Sequence, residues 1–298
     1  MINLLMQLFV MPAVGAILRL TRIEHSIMLV IAVIAAEIMA GGMPSITVFA
    51  LSMVTPVFVS MAAFAINDYF DVKVDRANRR QRPLVTGEIS PKGALRVTAV
   101  CLAVGIGASS FINPYALAIA ALFGALALLY SYRLKELLFW GNAYVAFSMA
   151  IPFVYGSYVV SSSMPYGILL VSAMIFLSGL AREIHGTIRD MKGDAQARAA
   201  RTFPRVIGRR RSAFLALSLY ALAIAISAYL FFAVQPFRQN LAYALPILAV
   251  DIMLAYLGIE YLYRKGRRFY GHARNVSLAA MALALATILL SALLMVRI

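Results

Sequence analysis

Long apolar runs alternate with polar connections along the whole chain. Nine of these runs reach the ~20 residues that a helix needs to cross a ~30 Å hydrocarbon core. They lie at roughly 25–42, 46–66, 92–112, 114–131, 138–158, 163–182, 212–234, 240–263 and 275–297. The ten-residue alternating segments of a transmembrane barrel are not seen. The pattern predicts an all-α, polytopic membrane protein with nine transmembrane helices.

Composition agrees: 63% of the 298 residues are hydrophobic and 13% charged, with mean hydropathy +0.86. A water-soluble domain needs more polar surface. Net charge is +15, which alone would admit a nucleic-acid partner, but the distribution argues against one. All lysines and arginines except Arg238 and Arg297 fall before the first span, or in alternate connections and the span ends that border them. Positive charge stays on the cytoplasmic side of membranes. The bias therefore predicts a cytoplasmic amino terminus, a carboxyl terminus outside and an odd number of spans. The single cysteine, Cys101, falls inside the third span and reads as a small apolar filler. Residues 1–22 are apolar but lack an early Lys or Arg and contain Pro12. A helix lying along the cytoplasmic interface suits them better than a cleaved signal peptide.

Two cytoplasmic connections, 67–91 and 183–211, are long and charged, and connections of that kind are where function tends to sit. They resemble each other. Asp71 and Asp75 are spaced four apart, as are Asp190 and Asp194, and each pair is followed by a proline and then a glycine: Pro83 and Gly87, Pro204 and Gly208. Residues four apart share a helix face. Asn67, Asp71 and Asp75 thus form one ladder of oxygens and Asp190 with Asp194 a second. Hard oxygen ligands suit Mg²⁺, which takes one or two carboxylates and completes its shell with water and phosphate oxygens. The competing reading is simple ion pairing with neighbours such as Lys73, Arg76, Arg189 and Lys192. Two ladders of matching spacing at the ends of spans favour the metal.

The segment NDYFDVKVD, followed by Asn78, Arg82, Pro83 and Gly87, resembles the first motif of the UbiA superfamily of intramembrane prenyltransferases. That motif reads N-D-x-x-D-x-x-x-D with a downstream N-x-x-x-R-P-x-x-x-G. Asp190 and Asp194, within REIHGTIRDMKGD, match the second, D-x-x-x-D. The second motif departs from the usual pattern, with Thr187 where an acid is common and Gly186 where a lysine is common. The resemblance covers essentially the whole chain and implies a single domain, 1–298, whose nine helices surround a central cavity opening at the cytoplasmic side. It implies that a polyprenyl diphosphate is bound through Mg²⁺, that the allylic C–O bond ionises and that a lipid acceptor captures the cation. Catalytic roles then fall to Asp71, Asp190, Lys135 and Tyr130, and substrate contacts to Arg22, Asn67, Asp68, Asp75, Arg82 and Tyr132. The metal falls to Asn67, Asp71, Asp190 and Asp194. The two motif connections are expected to meet over one cavity. The layout is closest to the archaeal branch that attaches geranylgeranyl to geranylgeranylglyceryl phosphate; branches with quinone, haem or chlorophyll-type acceptors share the motifs.

Other features carry less. Arg182 and Glu183 read as a supporting ion pair, and Arg209, Arg210 and Arg211 as a topological signal. Asp251, near the middle of the eighth span, calls for a polar partner in a neighbouring helix. The three histidines have no zinc spacing, and G-x-S-x-G, Walker A and dinucleotide fingerprints are missing. A CDP-alcohol phosphotransferase would require D-G-x-x-A-R. A cation transporter would place its acids near midplane rather than at one end.

Overall fold

A computed structural model describes the backbone of residues 14–197 and 202–296, and the side chains of residues 14–191 and 202–295. Among the described residues there is no strand, and nine helices are long and apolar enough to cross a membrane. They are α1 (Ser26–Ala40, which reaches span length with the preceding turn Ile23–His25), α2 (Ile46–Ala77), α3 (Pro91–Ser110), α4 (Pro114–Tyr132), α5 (Trp140–Val160), α6 (Tyr166–Ala197), α7 (Arg209–Ala233), α8 (Leu241–Tyr263) and α9 (Arg267–Val296). Of the expected interfacial helix, residues 1–13 lie outside the described residues, and 14–21 are helical.

The helix ends follow local chemistry. Pro91 and Pro114 open α3 and α4 at the first turn, where a missing N–H costs nothing. Ser90 and Asn113 cap them by accepting from the backbone N–H groups of Gly93 and Ala116. Asn240 caps α8 in the same way through Ala242.

Three helices are much longer than a membrane requires, among them α9 with 30 residues. α2 and α6 each run for 32 residues. At 1.5 Å per residue that is about 48 Å, roughly 18 Å more than the hydrocarbon core. Most of 67–91 and 183–211 is therefore ordered: the motif aspartates ride on the last three turns of continuous helices. After each helix comes a four-residue helix, Pro83–Thr86 or Phe203–Val206, and then a glycine with positive φ, +83° at Gly87 and +84° at Gly208. Such backbone suits glycine. The repeat inferred from the Asp, Pro and Gly spacing is thus also a repeat of local structure, although the two glycines differ in ψ (5° and 155°).

The chain forms two compact units. The first contains residues up to Val30 and Ile46–Leu134. Here α2 and α3 approach closely because α3 presents Gly105. A Cβ there would stand 2.9 Å from Val59 Cγ2 and 3.1 Å from the Val59 backbone nitrogen. Thr55 uses this approach, sitting 2.9 Å from the Gly105 carbonyl and 2.8 Å from the Ser109 hydroxyl. Small residues and hydroxyls of this kind join helices in lipid, where burial of apolar surface gives no drive between them.

The second unit contains Ile31–Ser45 and Lys135–Ile298. Gly156 of α5 lies against α1 so tightly that a Cβ would fall 2.6 Å from the Val33 carbonyl oxygen. Gly258 of α8 meets Leu217 of α7 in the same manner, at 2.7 Å. Asp251 of α8 has the partner expected of an intramembrane acid: Ser227 of α7 donates to its Oδ2 at 2.6 Å, and Tyr243 donates to the Ser227 carbonyl at 3.1 Å.

Candidate functional site

The overhanging turns of α2 carry the first cluster. Asp68, Asp71 and Asp75 stand three and four residues apart and so share one face. They are 2%, 8% and 3% exposed, and Asn67 beside them is half-buried. Buried carboxylates require compensation. Arg22 Nη2 donates to Asp68 Oδ1 at 2.6 Å. Arg82 Nη1 donates to the same oxygen and lies 2.9 Å from Asp75 Oδ2. Arg80 approaches Asp75 from the surface at 3.7 Å.

Local sequence explains how the arginines arrive. Pro83 excludes the helical conformation for the residue before it, and Arg82 is extended, at φ −104°, ψ 149°. Pro83 then starts the short helix and Gly87 ends it in the left-handed region. The R-P-x-x-x-G sequence is thus a compact turn that sends Arg82 back onto α2. Arg22 stands at the junction before the turn Ile23–His25 and itself adopts left-handed backbone, φ 48°, ψ 49°. That is uncommon for a residue with a side chain. Its guanidinium lies 4.8 Å from the centre of the Phe64 ring as well as on Asp68. Burial lowers its pKa from the ordinary arginine value, and Asp68 opposes that shift.

Two of the three buried carboxylates, Asp68 and Asp75, thus face the part-buried guanidiniums of Arg22 and Arg82, and Arg80 reaches Asp75 from the surface. The donor set, carboxylates with an amide oxygen at Asn67, is the chemistry of a hard cation such as Mg²⁺. Among the described residues no three His, Cys, Asp or Glu side chains form a ready-made cage. Mg²⁺ does not demand one, since it keeps waters and binds through one or two carboxylates plus phosphate oxygens. The residues fit the ion.

Tyr130 is half-buried, whereas Tyr132 is 63% exposed and edge-on to Phe70. Lys135 is half-buried in the turn Leu134–Glu136, within the second unit.

The second motif lies on α6. Arg182 Nη1 holds Glu183 Oε1 at 2.9 Å, the supporting pair expected there. Asp190 is gripped on both oxygens by its neighbour, Arg189 Nε to Oδ1 and Nη2 to Oδ2, each at 2.7 Å. A metal at Asp190 must therefore displace a bidentate guanidinium. The side chain of Asp194 lies outside the described residues. Thr187 does not replace the missing acid, because its hydroxyl donates back to the Ile184 carbonyl at 2.8 Å. At Gly186 a Cβ would meet nothing within 4 Å, so packing does not enforce the loss of a side chain.

The same stretch of α6 contains groups that reading the spacing of the histidines missed. His185 is 4% exposed, stacked on Tyr261 with ring centroids 3.7 Å apart and planes 4° apart, and met edge-on by Tyr220 at 5.4 Å. They border a cavity of about 190 Å³. The only signal in the sequence was the position of His185 inside the motif, facing inward five residues before Asp190.

Comparison with known proteins shows the family. The profile of the UbiA prenyltransferase family matches residues 28–271. A digeranylgeranylglyceryl phosphate synthase of Archaeoglobus fulgidus is 37% identical over 272 residues, covering 91% of this chain and 92% of its own. The enzyme of the same name from Methanopyrus kandleri is 34% identical, covering 93% and 98%. A solved structure concerning digeranylgeranylglyceryl phosphate synthase in membranes superposes with TM-score 0.78 at 25% identity, over 94% of this chain and 98% of that one. A UbiA homologue of Archaeoglobus fulgidus bound to GPP and Mg²⁺ shares the fold, with TM-score 0.64 at 19% identity, over 92% and 99%. The chain belongs to the UbiA prenyltransferase family and is a multi-pass membrane prenyltransferase.

Proposed function

We propose that the protein transfers a geranylgeranyl group from its diphosphate to geranylgeranylglyceryl phosphate, acting as a single catalytic domain, 1–298. The buried carboxylate face of α2, bracketed by Arg22 and Arg82, carries this reading. The acceptor is taken from the digeranylgeranylglyceryl phosphate synthases that the chain matches over nine-tenths of its length. The clustering of basic residues on alternate connections supports a cytoplasmic amino terminus, an outer carboxyl terminus and a site open to the cytoplasm.

Asn67, Asp71, Asp190 and Asp194 hold Mg²⁺. Once bound, the ion supplies positive charge to the departing diphosphate. Asp68 and Asp75 fix Arg22 and Arg82, so that these guanidiniums stand preorganised at the rim for phosphate oxygens. Lys135 adds a point charge and Tyr130 a hydroxyl donor, and Tyr132 contacts the substrate from the exposed side. The allylic C–O bond breaks with its electron pair leaving on the diphosphate. The acceptor's hydroxyl oxygen then bonds to the same carbon and loses its proton. The apolar helices exclude water that would otherwise capture the cation.

Radiolabelled geranylgeranyl diphosphate presented to the purified protein with a panel of acceptors, with and without Mg²⁺, tests the reading. Mg²⁺-dependent label on geranylgeranylglyceryl phosphate is expected. Label only on a quinone or other aromatic acceptor would overturn it.

A further inference from the structure

We propose that the cavity walled by α6, α7, α8 and α9 is a phosphate-monoester site that receives the phosphate of the lipid acceptor; the identity of that lipid rests on the function proposed above. The cavity, about 190 Å³, has room for several waters. Three of the residues that line it carry a buried side-chain polar atom without a hydrogen-bond partner among the described residues: Arg182 Nε, His185 Nε2 and Tyr220 Oη. His185 and Tyr220 are 4% and 1% exposed. Buried polar groups are nearly always paired, so three unpaired ones around one small cavity mark a place where a polar ligand completes the bonding.

The surrounding residues keep these atoms in place. Face-to-face stacking on Tyr261 fixes the His185 ring, and the edge of Tyr220 closes on it. Glu183 holds Arg182 through Nη1, which leaves Nε on another edge of the guanidinium. Arg189 and Arg274 also line the cavity.

The charge pattern selects the ligand. Two carboxylates line the cavity, and both are occupied, Glu183 by Arg182 and Asp190 by Arg189. Apart from Asp190, which the function proposed above gives to Mg²⁺, the wall therefore offers hydrogen-bond donors and guanidiniums rather than unclaimed carboxylate oxygens. That suits a phosphate oxyanion bound directly. The diphosphate donor, by contrast, needs metal-ligating carboxylates of the kind found on α2. The part of the substrate pair that requires direct donors is the phosphate of the acceptor. The three unpaired atoms do not depend on Arg189, so the site stands whether or not Asp190 releases that residue to a metal.

The test is calorimetric binding to the full chain in detergent, with no prenyl donor present. The probes are geranylgeranylglyceryl phosphate, its dephosphorylated alcohol and inorganic phosphate. The variants are Arg182→Gln and Tyr220→Phe; the second removes a single oxygen and keeps the test alive if the first fails to fold. The phosphorylated lipid is expected to bind the wild type and to weaken about tenfold in each variant, the effect of losing one hydrogen bond to a charged group. The alcohol is expected to bind weakly and equally throughout. Inorganic phosphate following the same ranking identifies recognition of the phosphate alone. A response of the lipid only identifies a headgroup that needs its tail. Unchanged affinity in Tyr220→Phe, or equal affinity for lipid and alcohol, overturns the site. A parallel transfer assay separates the two claims. Phosphate binding that is sensitive to Tyr220→Phe in a protein that prenylates no phosphorylated lipid would overturn the function and leave the site. Transfer with an acceptor KM and affinity indifferent to Tyr220→Phe would do the reverse.

Discussion

Replacing Arg82 with alanine removes the one guanidinium that touches both Asp68 and Asp75. Asp68 keeps Arg22 at 2.6 Å, but Asp75 keeps only Arg80, whose side chain is 54% exposed and 3.7 Å away. Both carboxylates are at most 4% exposed, so water replaces the lost partner poorly. One charge-assisted hydrogen bond, to Asp68, and one buried ion pair, with Asp75, at about 1.5–3 kcal/mol each set the upper end. The remaining Arg22 contact and the 19% exposure of Arg82 reduce it to about 3 kcal/mol. In detergent, the midpoint of thermal unfolding is expected to fall by roughly 5–10 °C. The coupled test is a double-mutant cycle with Asp75→Asn. Removing the charge that Arg82 compensates should make the second substitution cost at least ~1 kcal/mol less than it does alone. A midpoint within 1 °C of wild type for Arg82→Ala, or strict additivity in the cycle, would refute the bridging role.

Three further outcomes are expected. Asp71→Ala should lower transfer by about 10³-fold or more while the protein elutes as a folded monodisperse species, since losing a charge-stabilising group typically costs that much; near-normal turnover would remove it from the metal set. Arg189→Gln should lower the Mg²⁺ concentration giving half-maximal transfer, because the guanidinium occupies both Asp190 oxygens; an unchanged or raised requirement would show that no such competition exists. Gly156→Leu should destabilise the fold by about 3 kcal/mol or more, because its first carbon would lie 2.6 Å from the Val33 carbonyl oxygen; wild-type thermal stability would contradict that packing.

Much of this was legible from hydropathy alone, because in lipid the backbone must satisfy itself and every span must be about 20 apolar residues. The carboxylate ladders were legible for the same kind of reason: the spacing of three and four residues persists because α2 and α6 continue as helices past the membrane. What escaped was long-range or conformational. That Arg82 reaches across 14 residues to Asp68 depends on the turn set by Pro83, and that Arg22 does so across 46 depends on a left-handed residue with no sequence signature. The simple ion-pairing reading of the second motif proved relevant at Asp190, where a neighbour in sequence is also the partner in space. His185 passed unnoticed because its neighbours, Tyr220 and Tyr261, come from distant helices.

Both motifs are held to serve one metal-bound diphosphate, and calorimetric binding of a non-reactive geranylgeranyl thiolodiphosphate tests this most directly. Carboxylates and diphosphate cannot share a poorly solvated pocket without positive charge between them. Binding to the wild type should therefore require Mg²⁺, vanish in excess EDTA, and weaken at least 100-fold in Asp71→Asn and in Asp190→Asn alike. Tight binding in EDTA, or wild-type affinity in either variant, would contradict a shared metal site.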